Sequence, residues 1–304
     1  MALLLLGAAA AAGSLDLRVA EDGRRFSIDV GGAPWLEMAP TFLQANGMAH
    51  EATGGAGGLE LRNFTGGTAG SDEFGRYIEY RWSWRTTGSS AVAMETSARA
   101  LADGGILWTQ SFPQGVEQYG YGSAIDLNMR KEPTWGSAGT GWPALSQTNH
   151  TPALEFVTFL GDGNAEFGAG LGSPTLPVER GAAVGYFNAS GYTLVLSTAA
   201  SFLSSVIHAP HRNLLRCGVQ GAASSIPAGH STSFLMHAGQ GVPETFMGWG
   251  DRLLARYHKP RPEPNSSVSL QYIGYSSTGS YFCTPSRHFP SPGLCCAADG
   301  GSEL

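Results

Sequence analysis

With 304 residues and 42% hydrophobic content, the chain can supply a real core for one large domain or two ordinary ones. Charged residues make up only 14%, and 43 glycines and 17 prolines favour many turns and short strands over long helices. A net charge of -6 with no run of Lys or Arg excludes the electrostatic footprint of a nucleic-acid binder or of a protein drawn to anionic lipid.

Residues 1–13 open with Met1, an apolar run and then small residues around Ala10, Ala11 and Ala12, which predicts a cleaved signal peptide although no Lys or Arg precedes the run. The run falls short of the roughly 20 apolar residues that span a bilayer, so no membrane span is expected after its removal. Sequons at Asn63, Asn149, Asn188 and Asn265 agree with a secreted or endomembrane-lumen protein carrying N-linked glycans.

From residue 14 to 241 the sequence is a succession of short alternating runs cut by Gly, Pro, Asn and Asp. Examples are Phe26–Val30, Tyr77–Trp84, Ala91–Thr96, Glu155–Leu160, Tyr192–Ser197 and Ser231–Met236. A period near two marks half-buried strands, and more than ten of them predict a large antiparallel two-sheet sandwich, mainly β. Between Val242 and Lys259 the pattern changes. Phe246, Trp249, Leu253, Leu254 and Tyr257 recur at three- and four-residue steps, Pro243 and Glu244 suit a first turn, and Pro260 stops the run, which predicts a helix. The alternating prolines of Pro260–Asn265 predict a stiff linker, so that 242–267 reads as linker helix plus spacer. A β-like strand follows in 268–282, and 283–304 reads as a tail without fold. Three of the four cysteines fall in that tail, while Cys217 reads as a buried apolar side chain.

Candidate chemistry is sparse. A glycosidase needs two carboxylates about 5–9 Å apart, but Asp72, Glu73, Glu95, Asp103, Glu117, Asp126 and Glu155 each read as turn or solvated strand-face residues. Adjacent Asp72 and Glu73 would point apart. The His208/His211 pair holds Pro210 and cannot present both rings on a regular helix, and Asp162–Glu166 lacks the ligand spacing of a calcium loop. No cofactor or metal is expected. The glycine stretches Gly54–Gly58 and Gly168–Gly172 lack a phosphate-loop Lys and read as loops. Carbohydrate is the expected partner. Flat rings stack on sugar faces, which makes Trp82, Trp84, Trp135 and Trp142 the candidate carbohydrate-binding residues; the competing reading places such rings in the sandwich core.

Several short pieces in a fixed order carry a family resemblance: Gly70–Gly75 (GSDEFG), Thr109–Gly115 (TQSFPQG), Gly218–Gly221, Ile226–His230, Ala238–Val242, Trp249–Asp251 and Ile273–Thr278. In that order the chain resembles the front half of α-galactosidase and raffinose-synthase (seed-imbibition) relatives among the retaining glycoside hydrolases. The resemblance implies a galactose-mutarotase-like supersandwich followed by the first strand of an incomplete (β/α)8 barrel. It also implies that the catalytic carboxylates belong to later barrel strands, so no catalytic residue is assigned and the chain is expected to be inactive alone. Two alternatives remain: a stand-alone secreted carbohydrate-binding sandwich, and an aldose mutarotase-like enzyme, which needs a His and a carboxylate meeting in a sheet cleft.

Overall fold

The computed structural model describes residues 15–52, 58–119, 138–148, 153–159, 165–172, 183–211, 213–263 and 266. In chain order the strands are β1 (Leu15–Val19), β2 (Phe26–Val30), β3 (Ala33–Met38), β4 (Phe42–Ala45), β5 (Met48–Glu51), β6 (Leu59–Asp72), β7 (Gly75–Thr86), β8 (Met94–Leu101) and β9 (Gly105–Phe112). They continue with β10 (Thr140–Gly141), β11 (Ala144–Gln147), β12 (Glu155–Phe159), β13 (Ala165–Ala169), β14 (Val184–Phe187), β15 (Tyr192–Thr198), β16 (Ser205–His211), β17 (Leu214–Val219) and β18 (His230–Gln240). The helix α1 (Val242–Arg256) follows.

All named strand pairs are antiparallel. Six strands form one sheet in the order β1-β2-β3-β11-β17-β16, and nine form another in the order β13-β12-β14-β15-β18-β9-β8-β7-β6. The expected mainly-β sandwich is thus the observed fold. A small third sheet, β10-β4-β5, was not expected from the sequence; it forms because Thr140 and Gly141 pair with Leu43 and Phe42, which lie far away in sequence.

The period-two pattern decides which residues meet between the large sheets. From the nine-stranded sheet Trp82, Trp84, Ala98, Trp108 and Phe234 point inward, and from the other Phe26, Ile28, Leu36, Leu145 and Leu215, all in one buried cluster. Trp142 lies at its centre, with ring centroids 4.7 Å from Trp82, 5.7 Å from Phe26, 5.8 Å from Trp108 and 6.1 Å from Trp84. A polar girder crosses this apolar layer. The wholly buried Gln110 donates through Nε2 to the carbonyls of Trp142 (2.6 Å) and Cys217 (2.8 Å). Its Oε1 accepts from Thr140 Oγ1 (2.7 Å), which itself accepts from the Val219 amide (2.8 Å). Buried polar groups cost little only when satisfied in this way. Cys217 is buried, as expected, and desolvation pushes its thiol well above the ordinary value.

The helix forms where expected and packs on the sandwich. Gly241 precedes it at φ 84°, Pro243 fits its first turn, and Glu244 lies at its positive end. It covers β14, β15 and β18 on the side away from the aromatic core. Trp249 and Leu253 pack there on Leu107, Ala199 and Leu235, while Trp249 Nε1 donates to Ser197 Oγ (2.8 Å). Two arginines fix its far end: Arg252 pairs with Asp103 (2.7 Å) and Arg256 with Glu73 (2.6 Å). The compact unit ends at Lys259. Beyond it, Pro260–Glu263 and Ser266 are described and have no helix or strand. The expected strand in 268–282 and the tail 283–304 lie outside the described residues.

Candidate functional site: the open face of the nine-stranded sheet

The outward side chains of the nine-stranded sheet change character across its width. Strand register sets them in rows. One row reads Asn63, Ser83, Glu95, Ser111 and Ser231 across β6, β7, β8, β9 and β18, and the next reads Thr65, Arg81, Ser97, Thr109 and Ser233. The third reads Thr68, Glu79, Arg99, Leu107 and Leu235, turning apolar where α1 covers the sheet. One part of this face is therefore covered by a helix, and the other is polar and open among the described residues.

The open half holds a cleft of about 360 Å³. Its shape follows from side-chain length: the serines and Thr109 form a shallow floor, and Asn63, Arg81, Glu95 and the Glu79–Arg99 pair stand around it. At one edge the charges are locked together. Glu79, only 4% exposed, accepts from Arg99 Nε (2.8 Å) and Arg81 Nε (2.6 Å). Arg99 also reaches Asp72 (2.7 Å) and stacks 4.7 Å over the Tyr77 ring. Burial works against the Glu79 anion, but the two guanidiniums outweigh it and hold its pKa below the ordinary carboxylate value. On Arg99 burial likewise opposes the charge, and Glu79 reverses the balance, raising its pKa.

The centre of the cleft is different. Asn63, Thr65, Ser83, Ser97, Thr109 and Ser111 have no side-chain hydrogen bond among the described residues, and the Glu95 carboxylate has no ion pair. A second polar cluster lies at the helix. Arg252 Nε donates to His237 Nδ1 (3.0 Å) while its terminal nitrogens grip Asp103. Burial, seconded by Arg252 and opposed by Asp103, lowers His237 to about 4.

No protein-family model matches this sequence, and comparison with curated proteins gives no match. Solved structures similar to it include the ligand-free α-N-acetylgalactosaminidase NagBb from Bifidobacterium bifidum, with a TM-score of 0.46, 12% identity, and coverage of 82% of this chain and 38% of that one. A quadruple mutant of the same protein gives a TM-score of 0.47 at 11% identity over 81% of this chain and 38% of that one. A glycoside hydrolase family 97 enzyme from Pseudoalteromonas sp., in complex with acarbose, gives 0.43 at 10% identity over 76% and 36%. The chain thus spans less than two fifths of the length of these proteins. The sandwich assignment stands on the strand pairing itself.

Three of the four expected sugar-facing tryptophans are buried. Trp82, Trp84 and Trp142 are 1%, 2% and 0% exposed, with their ring nitrogens donating to Gly23 O, Thr96 Oγ1 and Ser97 O. Two-residue alternation puts the Trp82 and Trp84 rings on the inner face, where the six-stranded sheet closes over them, so none of the three has a face open to a sugar. Trp82 borders the cleft, although only 1% of its surface is exposed. Trp135 lies outside the described residues, as do Asn149, Asn265, Asp126 and the start of the Asp162–Glu166 string. Asn63 is exposed on β6 at the cleft rim. Asn188 sits in the β14–β15 turn, its Oδ1 accepting from the amides of Ser190 and Tyr192, which leaves Nδ2 outward of the turn's own bonds.

Asp72 and Glu73 diverge as expected, one toward Arg99 and the Phe74 amide and the other toward Arg256. Pro210 falls in edge strand β16, where the register slips between His208 and His211. Among the described residues no three His, Cys, Asp or Glu side chains gather as a metal site, and no helix is long and apolar enough to cross a membrane. Sequence reasoning missed the serine and threonine floor. Its signal was available in Arg81-Trp82-Ser83-Trp84 and Glu95-Thr96-Ser97-Ala98-Arg99: when the aromatic phase is inside, the Ser, Glu and Arg phase is outside.

Proposed function

We propose that this chain is the sandwich region of a secreted, glycoside-hydrolase-type protein acting on α-galactoside-type sugars, and that the region binds carbohydrate without turning it over. The observation that supports this is the polar face of the nine-stranded sheet, where hydroxyl, amide and carboxylate groups stand without partners among the described residues. Sugars present dense hydroxyls, and such groups exchange hydrogen bonds with them in both directions. Catalysis is not supported by the same face. A retaining pair needs one carboxyl kept protonated by a raised pKa, whereas Glu79 is held anionic between two arginines. Among the described residues His237 meets Asp103 through Arg252 and not directly, an arrangement that does not support the mutarotase alternative.

The test pairs binding with turnover. Purified chain is titrated calorimetrically with galactose, methyl α-galactoside and an α-linked galactosyl disaccharide, and assayed with an aryl α-galactoside. Saturable binding without hydrolysis is expected. Hydrolysis abolished by a single carboxylate substitution within residues 15–263, or absence of binding to every saccharide offered, would refute the proposal. Export and a mobility shift on glycosidase treatment, after expression in a eukaryotic secretory host, test the secreted and glycosylated parts of it.

A further inference from the structure

We infer that the open face carries one small site for a neutral sugar, in which Glu95 accepts hydrogen bonds from adjacent sugar hydroxyls and Arg81 donates to a sugar oxygen. This rests on the carbohydrate reading above and adds the site and the ligand class to it.

Three observations lead there. The first is which groups are already engaged. Glu79 is satisfied by two arginines and Arg99 by two carboxylates, but among the described residues neither oxygen of Glu95 has a partner, and Arg81 uses Nε alone. A carboxylate with two open oxygens accepts from two neighbouring hydroxyls, and a planar guanidinium supplies the matching donors. The second is size and floor. Glu95 stands between Ser83 and Ser111 in its row, two residues from Ser97 on its own strand. With strands about 4.8 Å apart these short side chains leave a depression one sugar ring wide. At about 360 Å³ the cleft lies near the small end of the 300–1,000 Å³ range of ligand sites, which suits one or two sugar units rather than an extended chain.

The third observation is charge. Asp72, Glu79 and Glu95 face Arg81 and Arg99, leaving one negative charge uncompensated, and it resides on Glu95. An acidic sugar would bring like charge against that carboxylate, while a neutral sugar does not. No aromatic side chain lines the floor, because the ring of Trp82 is on the inner face. Affinity must then come from polar contacts, which makes Glu95 its main determinant instead of a stacking platform.

The experiment titrates the purified chain with methyl α-galactoside and galacturonic acid, using the wild type, Glu95→Gln and Ser97→Tyr, each first checked for native thermal unfolding. Glu95→Gln keeps shape and removes charge, and Ser97→Tyr fills the floor from an outward position. The neutral glycoside is expected to bind at least tenfold more tightly than galacturonate. Glu95→Gln should weaken it about tenfold and shrink that preference, since a hydrogen bond to a charged group exceeds a neutral one by about that factor. Ser97→Tyr should abolish binding. If the wild type binds the neutral glycoside and both variants bind it equally well, the site lies elsewhere and this inference fails while the carbohydrate reading stands. Equal or tighter binding of galacturonate overturns it too. If no saccharide binds at all, the carbohydrate reading itself has failed and takes this site with it.

Discussion

Replacing Gln110 by Leu tests whether the polar girder inside the sandwich stabilises it. Leu is close in volume and apolar, so the change opens no large cavity; what it removes is the hydrogen bonding. The Cys217 carbonyl keeps the Trp142 amide as a partner (2.7 Å), and Thr140 Oγ1 keeps the Val219 amide (2.8 Å). The Trp142 carbonyl loses its Gln110 donor, and the Thr140 hydroxyl proton loses its acceptor. A buried polar group left unsatisfied costs about 1–3 kcal/mol, so two such groups predict a loss of about 2–6 kcal/mol. For a unit of this size that is a fall in Tm of roughly 4–24 °C. Urea unfolding followed by tryptophan fluorescence reports it directly, because Trp142 and Trp108 lie in the same core. Thr140→Val, alone and in combination, completes a double-mutant cycle. The two changes should be less than additive, since removing Gln110 has already orphaned the Thr140 hydroxyl. A loss under about 0.5 kcal/mol for Gln110→Leu, or full additivity with Thr140→Val, would show that the girder is not what joins the sheets there.

Two further outcomes follow from the same structure. His237 has a folded-state pKa of about 4 against an ordinary 6.5, so the folded protein favours the neutral ring. Its contribution is complete above pH 6.5, is lost as pH falls from 6.5 toward 4, and is constant below. The full shift corresponds to about 3 kcal/mol, which partial exposure to solvent reduces to about 1–2 kcal/mol. His237→Gln should flatten denaturation midpoints over that pH window, and an unchanged slope would refute the assignment. Trp82→Ala should cost about 3–5 kcal/mol as a core truncation, with sugar affinity unaltered in the protein that remains folded; loss of binding at unchanged stability would restore Trp82 to the sugar site.

Local order was legible in the sequence wherever one residue's role follows from its neighbours. Alternation in Tyr77–Trp84 and Ser231–Met236 marked β7 and β18, and the three- and four-residue steps of Phe246, Trp249 and Leu253 marked α1. Which face of a strand is covered is a different kind of fact, because it depends on partners far away in sequence. Trp82 and Trp84 looked equally suited to sugar or core until β2 brought Phe26 to 6.4 Å from Trp82, and until Trp142 arrived from the segment before β11. Phe42–Ala45 is buried at every position, so it has no alternation to announce its small sheet. The face question nonetheless has a readable half. Once Trp82, Trp84, Thr96, Trp108 and Gln110 are inside, Ser83, Glu95, Ser97, Thr109 and Ser111 are outside by the period of two, and the change to Leu107 and Leu235 in the next row requires a cover. The apolar side of α1 is that cover, and the polar rows beyond its reach have none among the described residues. Serine contributes little to a strand that only faces water, where long charged side chains also deter edge pairing. The concentration of serine beside a Glu95 without partners among the described residues and a half-engaged Arg81 is the reason to look for a ligand on this face rather than among the buried rings.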